Sequence, residues 1–281
     1  VLIAVSVRAD TARIALLNGD VLTEYALWRW DAPDGVGDVY TARVTAIAPA
    51  MAGVFADLGG TGGFLPDRGR LSEGDYLTVR VTRAAQGGKG PRLARVEEVP
   101  ADRPGLLRRG PGPLLDFCAR FPAAAVIIDD FALMARLRPA LGDRMAFRQT
   151  AFDPVLEDEI AGLAELSAAL PGGARLHITP APALTALDID AGAATDQNHF
   201  TLNVSILPEL ARQILLRNLS GGILVDFAGM KARDRPKLAA PLAAALAADP
   251  LKPRLLGFSH LGFAEILRPR IRPPLHEVVS P

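Results

Sequence analysis

Two aspartates stand at the ends of apolar runs: Asp188 after Leu184-Thr-Ala-Leu, and Asp226 after Gly221-Gly-Ile-Leu-Val. In α/β sheets the ligand crevice lies outside the carboxyl ends of the strands, so a carboxylate there faces a site rather than the core. Two such carboxylates can converge on one hard cation. Magnesium takes oxygen ligands, keeps several waters and is held by one or two carboxylates plus substrate phosphate. Asp190 lies two residues beyond Asp188, on the same side of an extended strand, and can join the pair. The same residues also fit a plainer role, because aspartates at strand ends cap helices and start turns. Asp129-Asp130 follows the apolar Val126-Ile-Ile but stands directly before a helical pattern, and reads as an N-cap.

A second set of residues suits an unpaired nucleic acid. Phe55 and Phe64 fall on neighbouring predicted strands, and Lys89 sits in a Gly-Gly-Lys-Gly turn. Exposed aromatics stack bases, each for roughly 1 to 3 kcal/mol, while a loop lysine neutralises phosphate. The alternative is that both phenylalanines belong to the core of a small barrel. His177, His199, His260 and His276 are scattered and lack the short-gap spacing of a metal cage, so they read as structural. Cys118 has no evident partner base, and Trp28 and Trp30 read as packing residues.

These residues need positioning elements. Residues 2 to 8, 12 to 17 and 21 to 28 read as three strands, with Asn18-Gly19 a hairpin signal. Five more, at 39 to 47, 53 to 58, 63 to 65, 76 to 82 and 91 to 96, are separated by glycine-rich turns and point to a small closed barrel. Residues 99 to 121, rich in Pro, Gly and Arg, read as a linker. Strands then alternate with helices. Strands are predicted at 125 to 128, 145 to 149, 175 to 178, 184 to 189, 223 to 227 and 254 to 258. Helices are predicted at 131 to 141, 154 to 170, 208 to 219 and 236 to 248. That alternation implies a mixed α/β layer with a partly parallel sheet.

With 49% hydrophobic residues in 281, the chain has material for two or three cores. A single cysteine excludes an internal disulfide and a cysteine zinc cage, and fits the reducing cytoplasm. No apolar run approaches the roughly 18 residues of a membrane span. Net charge is +0, so any attraction for a polyanion must be local. Basic residues do cluster between Arg80 and Arg109, and again at Arg268, Arg270 and Arg272, although both clusters also read as solvated faces.

Several strings resemble the ribonuclease E/G family. Leu210-Ala-Arg-Gln-Ile-Leu-Leu-Arg-Asn-Leu-Ser-Gly-Gly-Ile-Leu-Val-Asp-Phe227 resembles its helix, Gly-Gly turn and catalytic strand, and Leu184-Thr-Ala-Leu-Asp-Ile-Asp190 resembles the strand of its first catalytic aspartate. Leu256-Gly-Phe-Ser-His-Leu-Gly-Phe-Ala-Glu-Ile-Leu-Arg268 resembles the end of its catalytic part. Gly37-Asp-Val-Tyr-Thr-Ala-Arg-Val44, Ala52-Gly-Val-Phe-Ala-Asp-Leu-Gly59, Gly63-Phe-Leu-Pro66 and Gly88-Lys-Gly-Pro-Arg-Leu93 resemble its RNA-binding barrel. The resemblance implies an RNase H-like subdomain (1–35 and 122–172) with an inserted OB-type barrel (36–98). A linker (99–121) stands in place of the 5′ sensor, and a DNase I-like catalytic subdomain (173–281) follows. It implies a cytoplasmic endoribonuclease cutting single-stranded RNA to 5′-phosphate and 3′-hydroxyl products. Asp188 and Asp226 would hold Mg2+, with Mn2+ as a substitute, and Asp190 would stand beside them. Phe55, Phe64, Lys89, Arg92 and Arg43 would contact RNA.

The chain also departs from that pattern. Asp190 replaces the family's usual asparagine, Ala228-Gly229-Met230 replaces Ile-Asp-Met, and Asn203-Val-Ser205 replaces Asn-Leu-Glu. No C-x-x-C motif appears. Neither zinc nor a zinc-linked tetramer is therefore expected, and the oligomeric state is left open. Cleavage indifferent to the 5′ end is expected from the short linker. These departures keep a second reading in play, a non-catalytic RNA-binding protein derived from the same family.

Overall fold

The computed structural model describes residues 1–192, 198–231 and 233–279. The chain folds into two units, one of residues 1–21 and 26–151 and the other of residues 22–25 and 152–281.

Strands β1 (Leu2–Arg8), β2 (Thr11–Asn18) and β3 (Val21–Trp28) are neighbours in one sheet. Gly19, between β2 and β3, takes φ +61, the left-handed value that a two-residue hairpin requires. Strands β4 (Val39–Ala48), β5 (Gly53–Asp57), β6 (Gly62–Leu65), β7 (Tyr76–Arg83) and β8 (Arg92–Arg95) run in the order β5-β6-β8-β7-β4, and β4 pairs back to β5. The result is a closed, OB-like five-stranded barrel. Period-two alternation fills it with Ala42, Val44, Val54, Ala56, Leu65, Leu77, Val79, Val81 and Leu93.

Within 99–121, which composition reads as a linker, two regular elements form. Strand β9 (Gly105–Arg108) pairs with β4 at Val39 to Thr41, on the edge that β5 takes from Arg43 onward. Helix α1 (Gly112–Arg120) places Leu114, Phe117 and Cys118 in a core with Ile3, Val5 and Ile14. The prolines lie ahead of β9 and at the start of α1, where the missing N–H is harmless. Strand β10 (Ala125–Ile128), helix α2 (Phe131–Leu141) and strand β11 (Met145–Phe147) complete the first sheet, ordered β11-β10-β1-β2-β3 with β10 parallel to β1 and β11. Asp130 caps α2 by accepting from Leu133 N at 2.6 Å, and Asp129 accepts from Val7 N at 2.7 Å, so both serve structure.

The second unit contains helix α3 (Pro154–Gly162) and strands β12 (Ser167–Ala169), β13 (Arg175–Pro180) and β14 (Leu184–Asp190). Helix α4 (His199–Leu216), strand β15 (Gly221–Asp226), helix α5 (Ala239–Leu246), strands β16 (Arg254–Phe258) and β17 (Ala264–Arg268), and helix α6 (Leu275–Val279) follow. The sheet order is β12-β13-β14-β15-β17-β16, antiparallel except for the parallel pair β14 and β15. One sheet face packs Leu176, Ile178, Leu187, Ile189, Ile223 and Val225 against Leu202, Ile206, Leu210 and Leu242 of α4 and α5.

Two of the predicted helices shift the most. The helix expected through Leu170 stops at Gly162. The guanidinium of Arg217 takes up the carbonyls that a continuing helix would use: it donates to Leu163 O (2.7 Å), Gly162 O (3.1 Å), Ser167 O (3.1 Å) and Glu165 O, and β12 then pairs with β13. These bonds tie α3 and β12 into the second unit, whose longer segment starts at Phe152. Helix α4 begins at His199, not Pro208, because Asn198 caps it by accepting from Phe200 N at 2.9 Å. Its buried stripe of Leu202, Ile206 and Leu210 runs past the proline. Among the described residues, no helix is long and apolar enough to cross a membrane.

Candidate functional site

Strands β14 and β15 run parallel, and their register sets Asp188 directly beside Asp226. Apolar residues alternating inward, Leu187 and Ile189 on β14 and Val225 on β15, turn both aspartates to the sheet face opposite the one packed by α4 and α5. Asp188 is exposed, and the Asp226 side chain is 39% exposed. Two hard oxygen donors, side by side at the carboxyl ends of parallel strands and open to water, form a donor set that suits a magnesium ion keeping part of its hydration shell. Among the described residues no group of three or more His, Cys, Asp or Glu forms a fuller cage.

Asp190 shares that face but sits opposite Arg175 in the next register pair, and its Oδ1 accepts from Gly192 N at 2.9 Å. An asparagine oxygen would accept that bond equally, so the turn does not require the extra charge.

His177, read as a scattered structural histidine, stands exposed opposite Asp188 on β13. The row His177, Asp188, Asp226 crosses three strands. The β13–β14 hairpin could have revealed it, since residues equidistant from its turn must pair. Arg235 was also missed. Its Nη1 donates to Asp226 Oδ1 at 2.6 Å and to Gly262 O at 3.1 Å, and its Nε donates to Met230 O at 3.1 Å.

The chain leaves β15 through a loop held from α4. Buried Asn203 donates through Nδ2 to His199 O (2.7 Å) and to Ala228 O (2.8 Å). Gly229 takes φ +63, and a Cβ there would lie 2.4 Å from the His199 ring. The imidazole occupies the space that a side chain at 229 would need.

On the barrel, register brings the sequence-predicted RNA contacts together. Phe55 on β5 pairs with Phe64 on β6, and Phe64 pairs with Arg92 on β8. The two rings lie outside the barrel core, 5.3 Å apart and tilted by 54°, with Phe55 43% exposed. The core alternative for these phenylalanines is therefore overturned, since their neighbours Val54, Ala56 and Leu65 fill the interior. Lys89 is exposed in the β7–β8 connection, where Gln86 and Lys89 pair through their backbones. Arg43 is exposed on β4, between Asp57 and Tyr76.

The wider basic clusters are thinner than their sequence suggests. Arg108 pairs with Glu98 (3.1 Å) and Arg109 with Asp38 (2.6 Å). Arg268 is 2% exposed and pairs with Asp249 at 2.6 Å, so it belongs to the core rather than to a solvated face.

Residues 133–271, about half of the chain and including both aspartates, match the model of the ribonuclease E/G family. The chain belongs to the ribonuclease E/G family. It is similar to ribonuclease G of Escherichia coli (strain K12), 36% identical over 139 residues that cover 47% of this chain and 28% of that protein. It is also similar to ribonuclease G of Haemophilus influenzae, 30% identical over 151 residues covering 50% and 31% of the two chains. Ribonuclease E of Nostoc sp. is 33% identical over 115 residues, covering 39% and 17%. The matched stretch thus spans less than a third of each of these relatives. The barrel lies outside the stretch that the family model matches. This ribonuclease E/G member carries His199 against Gly229 at the position where the resemblance sets an acidic residue.

Proposed function

We propose that the protein is a metal-dependent endoribonuclease that cuts single-stranded RNA, leaving 5′-phosphate and 3′-hydroxyl ends, in RNA processing or decay in the cytoplasm. The observation that carries this reading is the register pairing of Asp188 with Asp226, at the open carboxyl ends of parallel strands within the family-matched stretch. Asp188 and Asp226 would hold Mg2+, or Mn2+ in its place. Bound there, the ion supplies a polarised water and neutralises charge at the scissile phosphate. The chain's own residues do the rest. Phe55 and Phe64 stack unpaired bases, which gives the single-strand preference. Lys89, Arg92 and Arg43 meet phosphates, and Asp190 adds negative charge beside the pair. The first unit's sheet takes the part of an RNase H-like subdomain with the barrel inserted, and the second unit that of a DNase I-like subdomain.

The test uses purified protein and the Asp226→Asn variant with a labelled AU-rich single strand, in magnesium or EDTA. Cleavage by the wild type in magnesium alone, lost in the variant, is the expected result. Cleavage that persists in the variant would place the chemistry elsewhere. Binding without cleavage in both would favour the non-catalytic RNA-binding reading, which the glycine at 229 motivates.

A further inference from the structure

Asp226 is not free to turn. Its Oδ1 accepts a 2.6 Å bond from Arg235, whose side chain is only 14% exposed. Its Nε also donates to Met230 O, and the same Nη1 to Gly262 O. Met230 lies in the loop after β15, and Gly262 in the β16–β17 connection, where its own N–H donates to Ser259 O at 2.8 Å. The arginine thus reads three acceptors from three separate points of the chain with one rigid fork, a geometry that lysine cannot reproduce. Asp188 stands on β14, and the strand on the other side of β15 is β17. Among the described residues Asp226 Oδ2 accepts no hydrogen bond.

We propose that Arg235 is a positioning residue for the metal-binding carboxylate Asp226, an inference that rests on the metal reading above. By engaging one lone pair of Oδ1 it leaves Oδ2 as the oxygen of Asp226 wholly open to a cation shared with Asp188. By placing a positive charge against Asp226, which the register sets beside Asp188, it also weakens cation binding while fixing its geometry. A cation bound through few protein oxygens keeps the waters that hydrolysis needs. Arg235 would therefore trade affinity for reactivity: it loosens the ion and aims its ligand.

The inference is tested on the full chain with Arg235→Gln and Arg235→Lys. Mn2+ binding without RNA is measured by electron paramagnetic resonance, and cleavage of a labelled single strand is followed in Mg2+. Arg235→Gln, which removes the charge, is expected to bind Mn2+ about threefold tighter or more. Its kcat is expected to fall by about tenfold or more through the lost alignment. Arg235→Lys keeps the charge, so its Mn2+ affinity should stay within about twofold of wild type while kcat falls by a similar factor. A purely structural role would lower kcat and protein stability without tightening Mn2+. Unchanged or weaker Mn2+ binding in Arg235→Gln overturns the proposal, as does a wild-type kcat in either variant. Asp188→Asn separates the two levels of inference. If it leaves the wild-type Mn2+ titration unchanged, the metal reading itself fails. If it abolishes that titration while Arg235→Gln does not alter it, only the role of Arg235 fails.

Discussion

Phe55→Ala should weaken RNA binding while costing the barrel less than a core truncation does. The ring is 43% exposed and its backbone neighbours Val54 and Ala56, at 0% and 1%, hold the core without it. Full burial of a phenylalanine contributes roughly 1.5 to 3 kcal/mol, so a half-exposed one contributes about half of that. Loss of the tilted contact with Phe64, at 5.3 Å, adds about 0.5 to 1.5 kcal/mol. The expected folding penalty is about 1 to 3 kcal/mol. A stacked base contributes roughly 1 to 3 kcal/mol, or about five- to 150-fold in affinity. Fluorescence anisotropy of a labelled oligouridine at fixed salt reads the binding, and denaturant unfolding reads the stability. Leu65→Ala, at a core position that is 1% exposed, is the contrasting control and should cost about 2 to 5 kcal/mol. The reasoning is refuted if Phe55→Ala destabilises the fold as much as Leu65→Ala, or if RNA affinity stays within about twofold.

Lys89→Ala should weaken binding alike for all single-strand sequences and reduce the slope of log K against log salt by about 0.7, measured as a salt titration. Between the barrel and β10, the chain has only β9 and α1, both packed into existing layers. Matched 5′-triphosphate, 5′-monophosphate and 5′-hydroxyl RNAs should therefore be cut at similar rates, and a monophosphate preference of about tenfold or more (about 1.4 kcal/mol) would contradict this. Arg268→Met strands buried Asp249, 4% exposed, and should cost about 3 to 5 kcal/mol in urea unfolding, while Asp249→Leu added to it should recover part of that loss. Gly229→Ala meets both a left-handed φ and the His199 ring, and should lose about 1 to 2 kcal/mol from the backbone alone. His199→Ala should relieve the steric part, which a double-mutant thermal-unfolding cycle would detect as coupling.

The sequence by itself determined the features written in short-range alternation and turn chemistry. Strand β1, strand β3 and helix α2 fall where apolar spacing places them, and the barrel strands follow their glycine-rich turns. Asp188 and Asp226 at strand ends, and Phe55 beside Phe64, were legible for the same reason: each depends on a few adjacent residues. The motifs around the two aspartates carried the family, and the family model covers that stretch but not the barrel. Tertiary structure decided everything that depends on a partner far along the chain. Arg217 ends α3 by taking carbonyls more than 50 residues away, an interaction with no local signature. Strand β9 exists because β4 offers it an edge, and α1 because the first sheet offers it a core, although their composition reads as linker. The pairing of Asp188 with Asp226 requires a parallel register across α4, and the clasp of Arg235 on Asp226 requires the β16–β17 connection to supply Gly262 O. Sequence placed two carboxylates at strand ends. Only hydrogen-bond register and long-range packing could make them neighbours and set an arginine against one of them.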